Sequence, residues 1–165
     1  MNTDRSWVLL AYRLPREPST PRIALWRKLR RLGAAQVLDS LVGLPLSPRN
    51  REQLEWLADE VVEAGGEASL WLAEPVSAAQ ERELRERLMA AAADDYRAII
   101  AEAQAANAET GPGRRRTLGR LRRELRRITE RDYFPPPERE QARAAVEALA
   151  EAMGVAEASA QQRGP

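Results

Sequence analysis

Ala35-Gln36-Val37-Leu38-Asp39-Ser40-Leu41-Val42-Gly43-Leu44-Pro45-Leu46 is the stretch on which the fold turns. Two short apolar runs, 35–38 and 41–46, are separated only by Asp39-Ser40, and such a connection between strand-like runs predicts a tight hairpin. Pro45 and Pro48 close it. A helical pattern lies on each side. Upstream, Ser19 or Thr20 can cap a helix, Pro21 suits its first turn, and Leu25, Trp26, Leu29 and Leu32 recur at helical spacing until Gly33. Arg27, Lys28, Arg30 and Arg31 occupy the other side. Downstream, from Arg49 to Ala64, the apolar face is Leu54, Leu57, Ala58 and Val61, and Gly65-Gly66 ends the helix.

Beyond each helix stands one more strand. Trp7-Val8-Leu9-Leu10-Ala11-Tyr12-Arg13-Leu14, closed by Pro15 and Pro18, reads as a buried strand, and Glu67 to Ala73 alternates through Ala68, Leu70 and Leu72. The order is strand, helix, strand, strand, helix, strand. Right-handed crossovers would put both helices on one face of a four-stranded antiparallel sheet, the ferredoxin-like βαββαβ arrangement of the α+β class, expected over residues 5–75. That inference is topological and gives no function.

Residues 76–155 read as a helical arm. From Ser77 to about Ala108 the chain is rich in Ala, Glu, Arg and Leu, with Leu84, Leu88, Tyr96, Ile99 and Ala103 consistent with one long helix. Thr110-Gly111-Pro112-Gly113 breaks it, and Leu118, Leu121, Leu125 and Ile128 then form a narrow apolar stripe. After Tyr133-Phe134-Pro135-Pro136-Pro137, a last helix near Glu138 to Met153 carries Ala142, Val146, Leu149 and Met153. The two stripes are expected to zip together antiparallel or to pack on the long helix. Residues 156–165 read as a frayed, flexible tail.

With 165 residues and 44% hydrophobic content the chain can build a core, and with neither Cys nor His it has no disulfide, thiolate zinc site, Ser-His triad or imidazole ligand. No Gly-rich phosphate loop occurs, and no cofactor or metal site is expected. Asp94-Asp95 with Glu102, and Asp39, read as solvated or turn carboxylates, because adjacent carboxylates on a helix diverge. Metal-dependent nucleases with this strand order place a carboxylate at the end of the first strand, where Tyr12-Arg13-Leu14-Pro15 stands here, so an enzyme is not expected. The N-terminus has no basic region leading into a long apolar run, and no stretch is long enough to span a bilayer, so the expected location is cytoplasmic.

The net charge of +1 hides segregation. Nine arginines lie between Arg114 and Arg131, and at 100° per residue Arg116, Arg120, Arg123 and Arg127 fall opposite the leucine stripe. They face solvent, where they either grip a polyanion such as nucleic acid or form a solvated face paired with neighbouring glutamates. A second basic group, Arg27, Lys28, Arg30 and Arg31 with Arg16 and Arg22, lies on or before the first helix, where a solvated face is its ordinary reading. A homodimer would repeat both groups about a two-fold axis, as a palindromic DNA site requires. Trp7, Trp26 and Trp71 are expected in core or interface packing rather than in a stacking platform, while Trp56 falls at a contact surface.

Several short motifs together resemble the N-terminal domain of the ChrB family of chromate-resistance regulatory proteins. They are Trp7 to Pro15, Arg22-Ile23-Ala24-Leu25-Trp26-Arg27-Lys28-Leu29, Leu32-Gly33-Ala34, Leu44-Pro45, Ala64-Gly65-Gly66, Asp95-Tyr96, Arg122-Arg123-Glu124-Leu125 and Asp132-Tyr133-Phe134-Pro135. The resemblance implies a DNA-binding transcriptional regulator of a chromate-efflux operon. It makes Arg22, Arg27, Lys28, Arg30 and Arg31 candidates for operator contact beside Arg116, Arg120, Arg123 and Arg127. Family members commonly continue into a separate C-terminal domain, so response to an oxyanion effector such as chromate is expected to involve such a domain or a partner chain carrying one. The other reading is a protein-interaction or oligomerisation module whose arm zips onto another chain.

Overall fold

The hairpin forms as its two-residue connection predicts. In the computed structural model, which describes residues 6–108 and 113–162, β2 (Ala35–Leu38) and β3 (Leu41–Pro45) pair antiparallel across Asp39-Ser40. The elements around them are β1 (Trp7–Arg13), α1 (Thr20–Leu32), α2 (Pro48–Glu63) and β4 (Glu67–Ala73). The strand order is β2-β3-β1-β4, every neighbouring pair antiparallel. Val8 stands between Leu44 and Leu72, and Leu10 between Val42 and Leu70, so these residues share one face of the sheet. Val8, Leu10, Val42 and Leu44 are buried there, as are Leu25 and Leu29 of α1 and Leu54, Leu57 and Val61 of α2. Lys28 of α1 reaches Glu60 of α2 at 2.5 Å, so the two helices lie side by side.

The opposite face buries Trp7 and Ala35. Gly43 between them has no side chain because Leu9 fills that space, its Cδ2 lying 2.7 Å from where a Cβ would be. From the first turns of the long helix α3 (Ala78–Ala108), Arg87 Nη1 donates to the Gln36 carbonyl at 2.9 Å.

Two caps set the helix ends. Ser47 Oγ accepts from the Asn50 N–H at 3.1 Å and Pro48 fills the first turn of α2. Ser19 precedes α1 without a side-chain cap, in helical φ/ψ, so the capping expected at Ser19 is replaced by Pro21 alone. After α2, Gly65 takes φ +79°, and a Cβ on Gly66 would run into the Arg13 carbonyl oxygen and lie 2.9 Å from Val61. Gly66→Ala is therefore expected to cost about 2 kcal/mol in urea unfolding, because the obstacle is backbone. Gly154→Ala, in open helical surface, is expected to be neutral or stabilising by up to about 1 kcal/mol.

Two of the tryptophans expected in packing are exposed: Trp26 at 53% and Trp71 at 60%. Leu25 and Leu29 take the core side of α1, and Trp26, about 100° round the helix, has the Arg30 guanidinium 5.3 Å from its ring. Trp71 sits on the edge strand β4. Trp7 is buried, and Trp56 is exposed.

A second compact unit begins at Met89, inside α3, the first ending at Leu88. Its other helices are α4 (Gly113–Glu130) and α5 (Glu138–Gln162). Tyr96, Ile99, Ala103 and Ala106 of α3, Leu118, Leu121 and Ile128 of α4, and Ala142, Val146 and Leu149 of α5 form one core. The two stripes thus pack on each other and on the long helix at once. The expected break at Thr110-Gly111-Pro112 lies outside the described residues, as do residues 163–165 of the expected tail; α5 itself runs to Gln162. Among the described residues no helix is long and apolar enough to cross a membrane.

Candidate nucleic-acid interface

On α1 the five basic residues do different things. Arg27 and Arg31 are exposed and have no ion-pair partner among the described residues. Lys28 is held by Glu60 of α2, and Arg30 lies over Trp26. Arg22 donates to the Arg16 carbonyl at 2.5 Å, tying the segment before the helix to its first turn. The face available to a polyanion is therefore Arg27 and Arg31, with Arg30 on its border.

On α4 the arginine stripe is divided in the same way. Arg116 and Arg123 are exposed without an ion-pair partner among the described residues, while Arg120 bonds Glu102 of α3 and Arg127 reaches Glu124 at 3.1 Å. Gly119 leaves a shallow depression lined by Arg115, Arg116, Thr117, Arg120 and Arg123. Exposed pairs of this kind hold weakly, so a phosphate can compete for Arg120 and Arg127. Arg122 and Arg126 are exposed as well and lie on the shoulder of the stripe. Positions chosen for lying opposite the leucines leave them out, although the helical angle places them beside the stripe.

The carboxylates considered for a cation are engaged otherwise: Asp94 pairs with Arg97, and Asp95 with Arg131, both at 2.6 Å. Arg97 also reaches Glu138 at 2.7 Å, at the start of α5. The backbone at Glu138 itself, followed by Arg97, holds this carboxyl below its usual range. With the folded-state value depressed, its stabilising contribution is present above the ordinary carboxylate range and is lost as pH falls through the depressed value. Glu138→Gln is expected to flatten the acid limb of a stability-versus-pH curve measured by thermal melting, lowering stability slightly at neutral pH and converging with the wild type at low pH, where the wild-type carboxyl is protonated.

Asp132 lies in the turn between α4 and α5, its side chain 1% exposed, and its Oδ2 accepts from the Tyr96 hydroxyl at 3.0 Å. Asp95-Tyr96 and Asp132-Tyr133-Phe134-Pro135, two motifs of the resemblance, thus meet at one polar cluster. A family model described as the N-terminal part of protein ChrB matches residues 22–112.

The chain belongs to the ChrB N-terminal family. Protein ChrB of Cupriavidus metallidurans (strain ATCC 43123 / DSM 2839 / NBRC 102507 / CH34) is 27% identical over 136 residues, covering 80% of this chain and 41% of the relative. The chain therefore spans about two-fifths of the length of that curated relative. No solved structure matches it. The ChrB N-terminal match takes in Arg22, Arg27, Lys28, Arg30 and Arg31 and ends before α4, whose arginines stand outside it.

Proposed function

We propose that this chain is a DNA-binding regulator of chromate resistance that grips phosphates with the unpaired arginines of α1 and α4. The observation that carries the reading is the exposed pair Arg27 and Arg31, without ion-pair partners among the described residues and inside the family match. A guanidinium with no carboxylate nearby gives up little on meeting a phosphate. Arg116 and Arg123, with Arg120 and Arg127 recruited from weak pairs, give the helical unit a basic face of its own. The strand order β2-β3-β1-β4, in which each helical crossover skips one strand, supports reading the sheet unit as ferredoxin-like. The regulator acts in the cytoplasm by binding and not by catalysis. Chromate, a dianion, acts as effector through a sensing domain attached to or recruited by the chain.

A reporter driven by the promoter upstream of this protein's own gene tests the reading. Expression of the chain should repress it and added chromate should relieve repression; a reporter indifferent to the protein would sink the idea. The competing interaction-module reading is favoured by the Arg120–Glu102 and Arg127–Glu124 pairs, which satisfy part of the stripe internally. Changing Arg116, Arg120, Arg123 and Arg127 to alanine separates the two. Lost repression with unchanged oligomeric state supports the regulator, and unchanged repression with lost partner binding supports the module.

A further inference from the structure

The last strand of the sheet is open. Among the described residues β4 pairs with β1 alone, and its seven residues contain no proline, lysine or bulge, the features that ordinarily keep an edge from pairing. Large apolar side chains stand exposed on both faces of this edge: Leu72, 51% exposed, on the face that α2 covers, and Trp71 on the other. Val76, 97% exposed, follows just after the strand. Backbone groups without a ladder partner, with apolar groups above and below, fit an added strand better than they fit water.

We propose that this edge is the interface with a second copy of the same chain, β4 pairing antiparallel with β4 to make one continuous eight-stranded sheet. The strand's own sequence favours a copy of itself. With Leu70 opposite Leu70, each Leu72 falls opposite Ala68 and each Trp71 opposite Ser69, so every bulky exposed residue meets a small one. The two-fold axis in that register is perpendicular to the sheet, and α2 of both copies lies antiparallel on the same face. Charge along α2 suits this arrangement. Its first turn carries Arg49 and Arg51 and its last part Asp59 and Glu63, so the basic end of each copy lies beside the acidic end of the other, while Glu60 stays with Lys28 of α1.

The helices then run α1, α2, α2, α1 across one side of the sheet. At the usual spacing of about 10 Å between packed helices, the two α1 axes stand roughly 30 Å apart. That is close to the ~34 Å between successive major-groove faces of DNA, so both Arg27/Arg31 pairs can meet one side of a duplex. This last consequence rests on the proposed DNA-binding function; the interface does not.

Sedimentation velocity of the full chain without DNA, from roughly 1 to 100 µM, tests the proposal. The wild type should be a dimer, and Trp71→Lys with Leu72→Lys should raise its dissociation constant at least about a hundred-fold with unchanged thermal melting, because both residues are exposed in the single copy. The chain has no native cysteine, so Leu70→Cys should give an oxidised cross-linked dimer while Glu67→Cys, away from the axis, should not. A wild-type monomer throughout, or a dimer that survives both lysines, overturns it. A wild-type dimer that ignores promoter DNA would sink the DNA reading and leave the interface standing; a monomer that binds DNA would do the reverse.

Discussion

Replacing Arg27, Arg31, Arg116 and Arg123 together by alanine is expected to weaken binding to promoter DNA about a thousand-fold near 0.1 M salt. Each phosphate contact contributes about 0.9 to the slope of log affinity against log salt, so losing four contacts should flatten that slope by about 3.6. These four were selected because none has an ion-pair partner among the described residues, so their removal leaves no carboxylate stranded. Stability should change by less than about 0.5 kcal/mol per site. Arg22→Ala and Lys28→Ala should behave differently, lowering stability through the lost ties to Arg16 and Glu60 and moving the salt slope little. Glu102→Gln frees Arg120 from its carboxylate and should strengthen DNA binding several-fold. Equal losses for the paired and unpaired arginines would mean that the division read from the structure has no part in binding.

Tyr96→Phe is expected to destabilise the helical unit by about 3 kcal/mol, although it removes a single oxygen. Tyr96 is fully buried, and its hydroxyl donates to Asp132 Oδ2 at 3.0 Å. Oδ1 has no hydrogen-bond partner among the described residues, and Arg139 stands 3.9 Å from Oδ2. Thr129 cannot replace the lost donor, because its hydroxyl already donates to the Leu125 carbonyl at 2.8 Å. In the variant a buried carboxylate would keep only the long Arg139 contact. Asp132→Ala in the same background should recover much of the loss, giving a coupling of about 2 kcal/mol in a double-mutant cycle. A cost under about 0.5 kcal/mol in urea unfolding would contradict this account.

The same hydroxyl carries a pH dependence. Burial above all raises the Tyr96 phenol, with Asp132 adding to the rise. With the folded value above the unfolded value near 10, the contribution is complete below about pH 10 and is lost as pH rises through the folded value. Alkaline titration followed by phenolate absorbance should therefore show Tyr96 ionising later than a free phenol and together with unfolding, beside Tyr12, whose phenol burial and Asp39 also raise.

The sheet was legible because its signals are local. A two-residue connection, a helix of fitting length on each side and a glycine pair at the second helix end allow few other arrangements. Trp26 and Trp71, expected in core or interface packing, are not in the core for a related reason: membership of a core-forming segment does not say which face a residue takes. Leu25 and Leu29 already fill the core side of α1, and β4 has no strand beyond it to cover Trp71. Pro48, expected to close the hairpin, also starts α2, since proline punctuates both.

The candidate site was only half legible. Clustering located the arginines, but which of them are free depends on carboxylates distant in sequence, such as Glu60 for Lys28 and Glu102 for Arg120. The link between Tyr96 and Asp132 has no periodicity to reveal it. It surfaced only as two separate motifs of a family resemblance, and the packing of α3 against the α4–α5 turn explains why both residue types are needed.

The central claim, that the unpaired arginine faces bind DNA, is tested most directly by fluorescence anisotropy of the full chain on labelled DNA from its own promoter across a salt series. The account predicts measurable affinity at low salt, a steep fall as salt rises, and a shallower fall for the four-alanine variant. No measurable binding at low salt, or an affinity insensitive to salt, would contradict it.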